Sequence, residues 1–467
     1  MERPQRHRLL HGYPLAAAMP ILKGDEPAPV LEHDPSRTLL VGVLPHPFCS
    51  PAVAGCGFCT FPHERFDRRG AESTIADVIR EIDARLSADP TLAGRPVAGL
   101  YFGGGTANLS PPGPFRELCR TLAQSFDLSG AEVTLEGVPA AFLGRKDRLV
   151  DILRDEFPAR HVRLSMGIQT FDEVRLKQMG RLAFGAAATF REVVELAHER
   201  GFTASADLLI NLPGQSPDAM REDVENAVAL GLDGICVYHL VLFEGLGTEW
   251  SRDRELVETL PDNEAAARNL AGVRAVLLDR GFVPTTLTNF ERRELNATDR
   301  RFVYEELSFA ADFPDILGFG PSGISFAGDA HSAVKVMNPT TAASYGAAIE
   351  RGGPPWERAF RYTLDDRKVL HLARRLAALR IERPAYARAF GTDLIDDFWD
   401  ELSALVDEGL LTVGDGAIEP TPRGLFYADS VAGLFSRKPR IATLGPRRRA
   451  RRRHLAAMDE GNAPAHM

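Results

Sequence analysis

Three cysteines in one short segment have the clearest chemical potential in this sequence. Cys49, Cys56 and Cys59 follow the spacing Cys-x6-Cys-x2-Cys, whereas Cys119 and Cys236 stand alone. Clustered thiolates are soft ligands that suit zinc or an iron–sulfur cluster. Five cysteines are an odd number, and an odd number in a chain of this size does not suggest a disulfide framework. The spacing therefore indicates a metal centre.

Two kinds of metal centre fit this segment. A structural zinc site needs four ligands, and His46 or His63 could complete a Cys3His set. A cluster held by three cysteines would instead leave one iron open for a substrate or a cofactor. The cysteine spacing alone does not decide between them.

Short apolar runs alternate with amphipathic segments along the first half of the chain. The runs predicted as strands are Thr38–Leu44, Val97–Phe102, Glu132–Leu135, Val162–Ile168, Ala204–Leu212 and Gly234–Leu242. The predicted helices between them include Thr74–Leu86, Pro114–Phe126, Lys146–Arg154, Ala187–Arg200 and Pro217–Leu230. This alternation predicts βαβ units that form a parallel sheet closed fully or partly into a barrel. Ligands bind at the carboxyl ends of the strands in such folds.

The later part of the chain reads differently. Helices are predicted at Asn263–Arg280, Asp365–Leu379 and Leu394–Gly409, and the Asp-Gly step at 415–416 signals a hairpin. The predicted class is α/β, a partial (β/α)6 barrel with a mostly helical, winged-helix-like C-terminal domain. The expected divisions are an N-terminal arm (1–36), the barrel (37–245), a barrel-covering extension with a glycine loop (246–335), the C-terminal domain (336–435) and a basic flexible tail (436–467).

Composition limits the kinds of partner. The 467 residues are 44% hydrophobic and carry a net charge of −9, which argues against a general nucleic-acid binder. No apolar stretch approaches the ~20 residues of a membrane helix, and no secretory signal is found. We therefore expect a cytoplasmic protein with neither a membrane nor a nucleic-acid partner. The basic run at 447–454 reads as a solvated tail, with contact to a phosphate-bearing partner as the alternative.

Several short motifs follow one another along the chain, near the predicted strand ends. They are Pro47-Phe48-Cys49, Gly57-Phe58-Cys59, Tyr101–Thr106, Leu135–Pro139, Ser165–Phe171 with Gly180-Arg181, Asp207–Gln215 and Leu317–Pro321. In this order they resemble the radical S-adenosylmethionine (SAM) superfamily. They look specifically like the HemN-like branch, which contains oxygen-independent coproporphyrinogen oxidases, haem chaperones and HemN-like class C methylases.

The resemblance implies a 4Fe-4S cluster on Cys49, Cys56 and Cys59, whose fourth iron binds SAM. Reductive cleavage of SAM would give a 5′-deoxyadenosyl radical, with electrons from a partner such as flavodoxin or ferredoxin. The residues expected to bind SAM are Phe58, Gly103, Gly104, Gly105, Thr106, Glu136, Gln169, Arg181 and Asp207. For the glycine run, a plain tight turn is the alternative, and for Phe58 it is ordinary packing.

The glycine loop near residue 320 resembles the part of the branch that contacts a second SAM. Its matching residues are Gly318, Gly320, Pro321 and Ser322. A second SAM implies transfer of a methyl or methylene group to a small-molecule substrate in specialised metabolism, which we take as the first hypothesis. The alternative for the loop is a backbone turn that packs against the barrel.

The match departs from the branch near the cysteines. The first gap is six residues where the branch has three, and an insertion in a surface loop costs little. The branch has a Tyr and a His before its Pro-Phe, where this chain has Val43 and Pro45. The segment 302–307 likewise lacks the branch's His-Asn pair. These differences weigh against a porphyrinogen substrate.

Three other functions remain as alternatives. The scaffold also suits an oxidative decarboxylase of the coproporphyrinogen type or, from another class, a non-catalytic haem chaperone. The last alternative is a zinc-stabilised barrel without radical chemistry. The sequence identifies neither the substrate nor the catalytic residues that contact it.

Overall fold

A computed structural model describes residues 4–5, 12–23, 28–144, 147–310 and 314–436. The predicted basic run at 447–454 and the tail from residue 437 onward lie outside these ranges. So does Lys146, the first residue of one predicted helix. Among the described residues, no helix is long and apolar enough to cross a membrane.

The strands of the first half match the predicted alternation with helices. They are β1 (Leu39–Val43), β2 (Phe48–Cys49), β3 (Glu64–Arg65), β4 (Val97–Phe102), β5 (Glu132–Gly137), β6 (His161–Gln169), β7 (Thr203–Ile210) and β8 (Gly234–His239). The helices that follow or separate them are α1 (Arg68–Ala88), α2 (Pro112–Ser125), α3 (Pro139–Phe142), α4 (Leu149–Glu156), α5 (Glu173–Gln178), α6 (Ala187–Glu199) and α7 (Pro217–Ala229). The predicted α/β class is therefore confirmed.

The second half of the chain extends the same sheet. Its strands are β9 (Phe282–Pro284), β10 (Asn289–Arg292), β11 (Asp315–Phe319), β12 (Ile324–Gly328), β13 (Ala333–Met337) and β14 (Arg358–Tyr362). Its helices are α8 (Arg254–Glu258), α9 (Asn263–Asp279), α10 (Arg293–Asn296), α11 (Val303–Ser308) and α12 (Ala342–Glu350). The predicted boundary between residues 335 and 336 falls inside β13. This strand pairs with β12 on one side and with β14 on the other.

One 12-stranded sheet has the order β14-β13-β12-β11-β1-β4-β5-β6-β7-β8-β10-β9. The strands from β11 to β8 in this order run parallel, and the outer strands are antiparallel. Every residue of β1 is buried, as expected for a parallel strand covered on both faces. Within the described ranges the edges β14 and β9 do not pair with each other, so the sheet forms a partial barrel.

The C-terminal part is mostly helical with a small antiparallel sheet. Its helices are α13 (Leu364–Ala377), α14 (Arg383–Phe390), α15 (Leu394–Asp397), α16 (Trp399–Asp407), α17 (Pro422–Phe426) and α18 (Ala428–Phe435). Its strands are β15 (Ile381–Glu382), β16 (Leu411–Val413) and β17 (Ala417–Pro420), in the order β15-β17-β16. The predicted single helix over Leu394–Gly409 is wrong, because the chain leaves helical geometry at Phe398 (φ −131°, ψ 33°). The Phe398 ring packs against Tyr386 and Phe435.

Candidate active site

The three clustered cysteines lie on the loop between β1 and α1. Cys49 ends β2, which pairs with β3, and Cys56 lies in a tight turn over Ala54–Gly57. Gly55, Cys56 and Gly57 all have positive φ (56°, 53° and 81°), a conformation that glycine adopts at little cost. The Cys59 amide donates to Gly55 O at 2.8 Å, so the turn brings Cys59 back toward Cys56. All three cysteines line one cavity of about 220 Å³.

Two side chains from other elements donate to the thiol sulfurs. Thr106 Oγ1 lies 3.3 Å from Cys49 Sγ, and Arg181 Nη1 lies 3.3 Å from Cys56 Sγ. Burial raises the pKa of the Cys49 thiol to about 11, against the lowering effect of Thr106. A bound metal would deprotonate such a thiol, and both donors would then stabilise negative charge on sulfur. The donor set therefore fits an iron–sulfur cluster held by three thiolates.

The zinc alternative depends on the two nearby histidines. His46 is fully buried beside Phe48 and Phe66, and it does not line the cysteine cavity. His63 does line the cavity, with Nδ1 2.8 Å from Phe61 O. Within the described part of the chain, no three His, Cys, Asp or Glu side chains are placed to hold one single metal ion together, whereas in an iron–sulfur cluster each thiolate would bind a different iron.

The glycine run after β4 lies against the cysteine loop. A Cβ on Gly105 would lie 2.5 Å from the Pro47 carbonyl carbon and 2.6 Å from Phe48 O. Gly104 has φ +114°, which L side chains rarely adopt. The run thus forms a tight turn, as the alternative expected. It also contributes Gly103, Gly104, Gly105 and Thr106 to the wall of the cavity.

The ends of the next three parallel strands supply the polar wall. Glu136 is the penultimate residue of β5, Gln169 ends β6 with φ 73°, and Asp207 lies in β7. Glu136 Oε2 accepts from the Tyr101 hydroxyl at 2.9 Å. Carboxylates and amides at such positions can bind hydroxyl and ammonium groups of a ligand. These residues, with Arg181, line the same cavity as the cysteines.

Phe58 also lines the cavity and packs against Trp250, with ring centroids 5.7 Å apart. All twelve residues predicted for the cluster and the first SAM thus share one cavity. They are Cys49, Cys56, Cys59, Phe58, Gly103, Gly104, Gly105, Thr106, Glu136, Gln169, Arg181 and Asp207. The individual SAM contacts stay predictions.

The glycine loop near residue 320 lies elsewhere. The Gly320 amide donates to Glu81 Oε2 at 2.9 Å, and a Cβ on Gly320 would lie 2.0 Å from Leu44 O. The Ser322 amide donates to Pro339 O at 2.9 Å. Gly318, Gly320, Pro321 and Ser322 do not line the cysteine cavity. They pack as a turn between α1 and the sheet, so the second-SAM role of this loop stays a prediction.

A second cavity of about 510 Å³ adjoins the first, and Glu136 and Asp207 line both. We call the second one the inner cavity. Its polar wall includes residues that sequence reasoning missed: Tyr101, Tyr238, Tyr304, Glu305, Lys335 and Arg374. Strand alternation offered a signal for Tyr238, because it lines the cavity while the next residue, His239, contacts Asn211 instead.

The two isolated cysteines lie outside both cavities. Cys119 is fully buried on α2. Cys236 is buried on β8, where its thiol contacts Asn289 Oδ1. Burial raises the pKa of each thiol well above the ordinary value, so both stay protonated.

Comparisons with known proteins agree with this geometry. A sequence profile of the Radical SAM superfamily matches residues 43–227. Oxygen-independent coproporphyrinogen III oxidase of Synechocystis sp. is 27% identical over 406 residues, 83% of each chain. Heme chaperone HemW of Lactococcus lactis is 26% identical over 52% of this chain and 60% of its own length. The solved structure of coproporphyrinogen III oxidase (HemN) from Escherichia coli superposes with a TM-score of 0.69 at 22% identity. That superposition covers 86% of this chain and 91% of the other.

A partial α/β barrel with three cysteines at its ligand-binding end, together with the profile match over residues 43–227, supports assignment to the radical SAM superfamily. Within that superfamily, the chain is similar to members of the HemN-like branch. The family implies a 4Fe-4S cluster and SAM as cofactors. The expected preference for methyl transfer over oxidation is not supported, because coproporphyrinogen oxidases match over most of this chain.

Proposed function

We propose that this chain oxidatively decarboxylates a carboxylate-bearing substrate of the coproporphyrinogen type. The observation that carries the proposal is the wall shared by the cysteine cavity and the inner cavity, formed by Glu136 and Asp207. A radical formed in the cysteine cavity would therefore lie next to a substrate bound in the inner cavity. The choice of reaction rests on the oxygen-independent coproporphyrinogen III oxidase that aligns with 83% of this chain.

When bound, the cluster and SAM supply a 5′-deoxyadenosyl radical. The substrate loses a hydrogen atom, carbon dioxide and one electron, and a carbon–carbon double bond forms. The electron passes to an external one-electron acceptor. The task of the protein is to orient the substrate and to exclude water from the reacting carbon.

This chain lacks the Tyr and His that the branch has before its Pro-Phe, and the polar groups of its inner cavity come from other positions. Val43 lies in β1 and His46 is buried, and neither lines the inner cavity. Three tyrosines line the inner cavity instead: Tyr101, Tyr238 and Tyr304. Tyr101 donates to Glu136, which fixes its ring beside the shared wall. Phe302 and Tyr304 belong to the segment that lacks the branch's His-Asn pair, and both line this cavity.

A reducing partner is part of the proposal. Cluster reduction needs a one-electron donor, and a small flavin or iron–sulfur protein such as flavodoxin or ferredoxin is suited to it.

The test is product analysis under anaerobic conditions. The reconstituted protein is reduced with dithionite, the excess is removed, and coproporphyrinogen III, SAM and a quinone as the final acceptor are then added. We expect vinyl-bearing porphyrinogen, carbon dioxide, methionine and 5′-deoxyadenosine. Cys56→Ala should abolish all four products, whereas Cys119→Ala, which alters a thiol outside both cavities, should retain them.

Other products would overturn the proposal. S-adenosylhomocysteine with a methylated substrate would identify methyl or methylene transfer. Tight haem binding without release of 5′-deoxyadenosine would identify a chaperone. A stoichiometric zinc ion without iron would identify a structural metal site.

A further inference from the structure

The inner cavity contains two buried basic side chains that have no anionic partner among the residues that the structure describes. Lys335 lies on β13 and Arg374 on α13, and they are 7% and 6% exposed. Both line the inner cavity, and neither lines the cysteine cavity. Burying a cation costs free energy unless an anion lies beside it, so the burial of these two side chains needs an explanation.

The contacts of Lys335 are with neutral groups. Its Nζ donates to Gly12 O at 3.1 Å and to Pro14 O at 2.9 Å, both in the N-terminal arm. No carboxylate of the described residues lies in an ion pair with Lys335. Two carbonyl oxygens leave the positive charge of the ammonium group uncompensated. They also leave it one N–H donor for a further acceptor.

The guanidinium group of Arg374 has even fewer of its hydrogen-bond donors paired than the ammonium group of Lys335. Its guanidinium lies 4.7 Å from the centroid of the Phe326 ring, while Nε and Nη1 are buried with no hydrogen-bond partner in the part of the chain that the structure describes. Leaving buried donors without acceptors is unfavourable. Burial lowers the pKa of Arg374 to about 10, and burial together with Arg374 lowers the pKa of Lys335 to about 7. The two cations therefore repel each other.

The remaining wall of the inner cavity suggests the shape of the occupant. Aromatic and aliphatic side chains surround the cations, among them Phe302, Tyr304 and Ile316. The acidic residues Glu136 and Asp207 lie on the wall shared with the cysteine cavity, and the third acidic residue of the inner cavity, Glu305, accepts a hydrogen bond from Thr286 Oγ1 at 2.7 Å. An apolar molecule with an acidic group would place that group at the cations and its body along the aromatic wall.

We propose that Lys335 and Arg374 form a carboxylate-binding subsite that holds one acidic group of the substrate while a different part of the molecule reacts. The planar guanidinium group matches a carboxylate and can donate two parallel hydrogen bonds to it. Lys335 adds a point charge. This subsite rests on the proposed function in one respect: the inner cavity is the cavity that binds the substrate.

The probe is 4-phenylbutyrate, compared with its neutral amide of nearly the same shape. Binding to the anaerobically reconstituted protein is measured by calorimetry or ligand-observed NMR. The wild-type protein should bind the acid at least roughly tenfold more tightly than the amide, because charged hydrogen bonds are lost with the amide. Arg374→Gln should remove this preference. Arg361→Gln, an exposed arginine on the neighbouring β14, should retain it.

Stability separates a ligand-binding role from a structural one. Without ligand, Arg374→Gln should leave the melting temperature unchanged or raise it, since an unpaired buried cation is removed. Arg374→Lys keeps the charge and should retain most of the preference for the acid. It therefore provides the test if the glutamine variant does not fold.

Three outcomes would overturn the subsite. They are equal binding of acid and amide, an unchanged preference in Arg374→Gln, or much tighter binding of phenyl phosphate than of the carboxylate. The decarboxylase proposal fails separately. If coproporphyrinogen III is not turned over while the preference for the acid depends on Arg374, the subsite stands and the proposed substrate is wrong.

Discussion

Thr106 and Cys49 come from different parts of the chain and meet at 3.3 Å, hydroxyl to sulfur. Thr106 follows the glycine run after β4, and Cys49 ends β2. The contact joins the cysteine loop to the barrel at the position of a cluster ligand. Hydrogen bonds to sulfur stabilise the reduced, more negative cluster and so raise its reduction potential.

Replacing Thr106 by valine should lower the reduction potential of the cluster. A hydrogen bond of about 1 kcal/mol corresponds to a shift of roughly 40 mV for one electron. The measurement is a redox titration followed by electron paramagnetic resonance. Thr106→Ser keeps the hydroxyl and should keep the potential, and an unchanged value in the valine variant would refute the contact.

Gly105→Ala should disturb the cysteine loop. The added Cβ would lie 2.5 Å from the Pro47 carbonyl carbon, and backbone cannot move aside as a flexible side chain can. We expect a loss of about 1–3 kcal/mol in stability and a clear fall in iron bound per chain. Gly113→Ala is the matched control, because a Cβ there meets nothing within 4 Å. Full iron loading of the Gly105 variant would contradict the close approach.

Glu136→Gln should weaken SAM binding without loss of the cluster. The carboxylate lines the cysteine cavity and accepts from the Tyr101 hydroxyl, so its removal changes both the charge and the hydrogen bonding of the wall. We expect a rise of roughly tenfold in the Kd for SAM, equal to about 1.4 kcal/mol. Glu117→Gln, on the exposed face of α2, should bind SAM normally. Equal affinities in the two variants would argue against contact between Glu136 and SAM.

Lys335→Met should change how stability depends on pH. Burial lowers the pKa of Lys335 from 10.5 to about 7, so between these values the unfolded chain binds the proton and the folded chain does not. The free energy of unfolding of the wild-type protein therefore rises with pH across this window. Below pH 7 both states bind the proton, so Lys335 adds no pH dependence there.

The effect is isolated as a difference between two proteins. The melting temperature of wild type minus that of Lys335→Met should increase by several degrees from pH 6.5 to pH 9. Lys177→Met, an exposed lysine on α5, should show a difference that is flat with pH. A flat difference for Lys335 as well would mean that its ammonium group is not buried in solution.

The parts of the site that follow from local sequence were predictable. Cys49, Cys56, Cys59 and the glycine run are close in sequence to strand ends, and parallel topology brings strand ends together. The helix predicted over Leu394–Gly409 was wrong because tertiary packing of Phe398 overrides local helical periodicity. The division predicted between residues 335 and 336 falls within β13, and the pairing of β13 with β14 is not visible in the local sequence pattern.

The inner cavity was not predictable, and the reason is topological. Lys335 and Arg374 approach Tyr101 only because antiparallel strands extend the parallel sheet and α13 packs beside them. In the sequence each residue is an ordinary charged position in a strand or a helix. The burial that makes them unusual belongs to the folded chain.

The central claim is that three thiolates hold a cluster with one open iron. The most direct measurement is the paramagnetic resonance spectrum of the anaerobically reconstituted, reduced protein, recorded with and without SAM. We predict a signal from a reduced four-iron cluster whose g-values change on addition of SAM in wild type and in Cys119→Ala, and loss of that signal in Cys56→Ala. A cluster signal whose g-values do not change on addition of SAM would contradict the account. So would a cluster signal that is still present in Cys56→Ala.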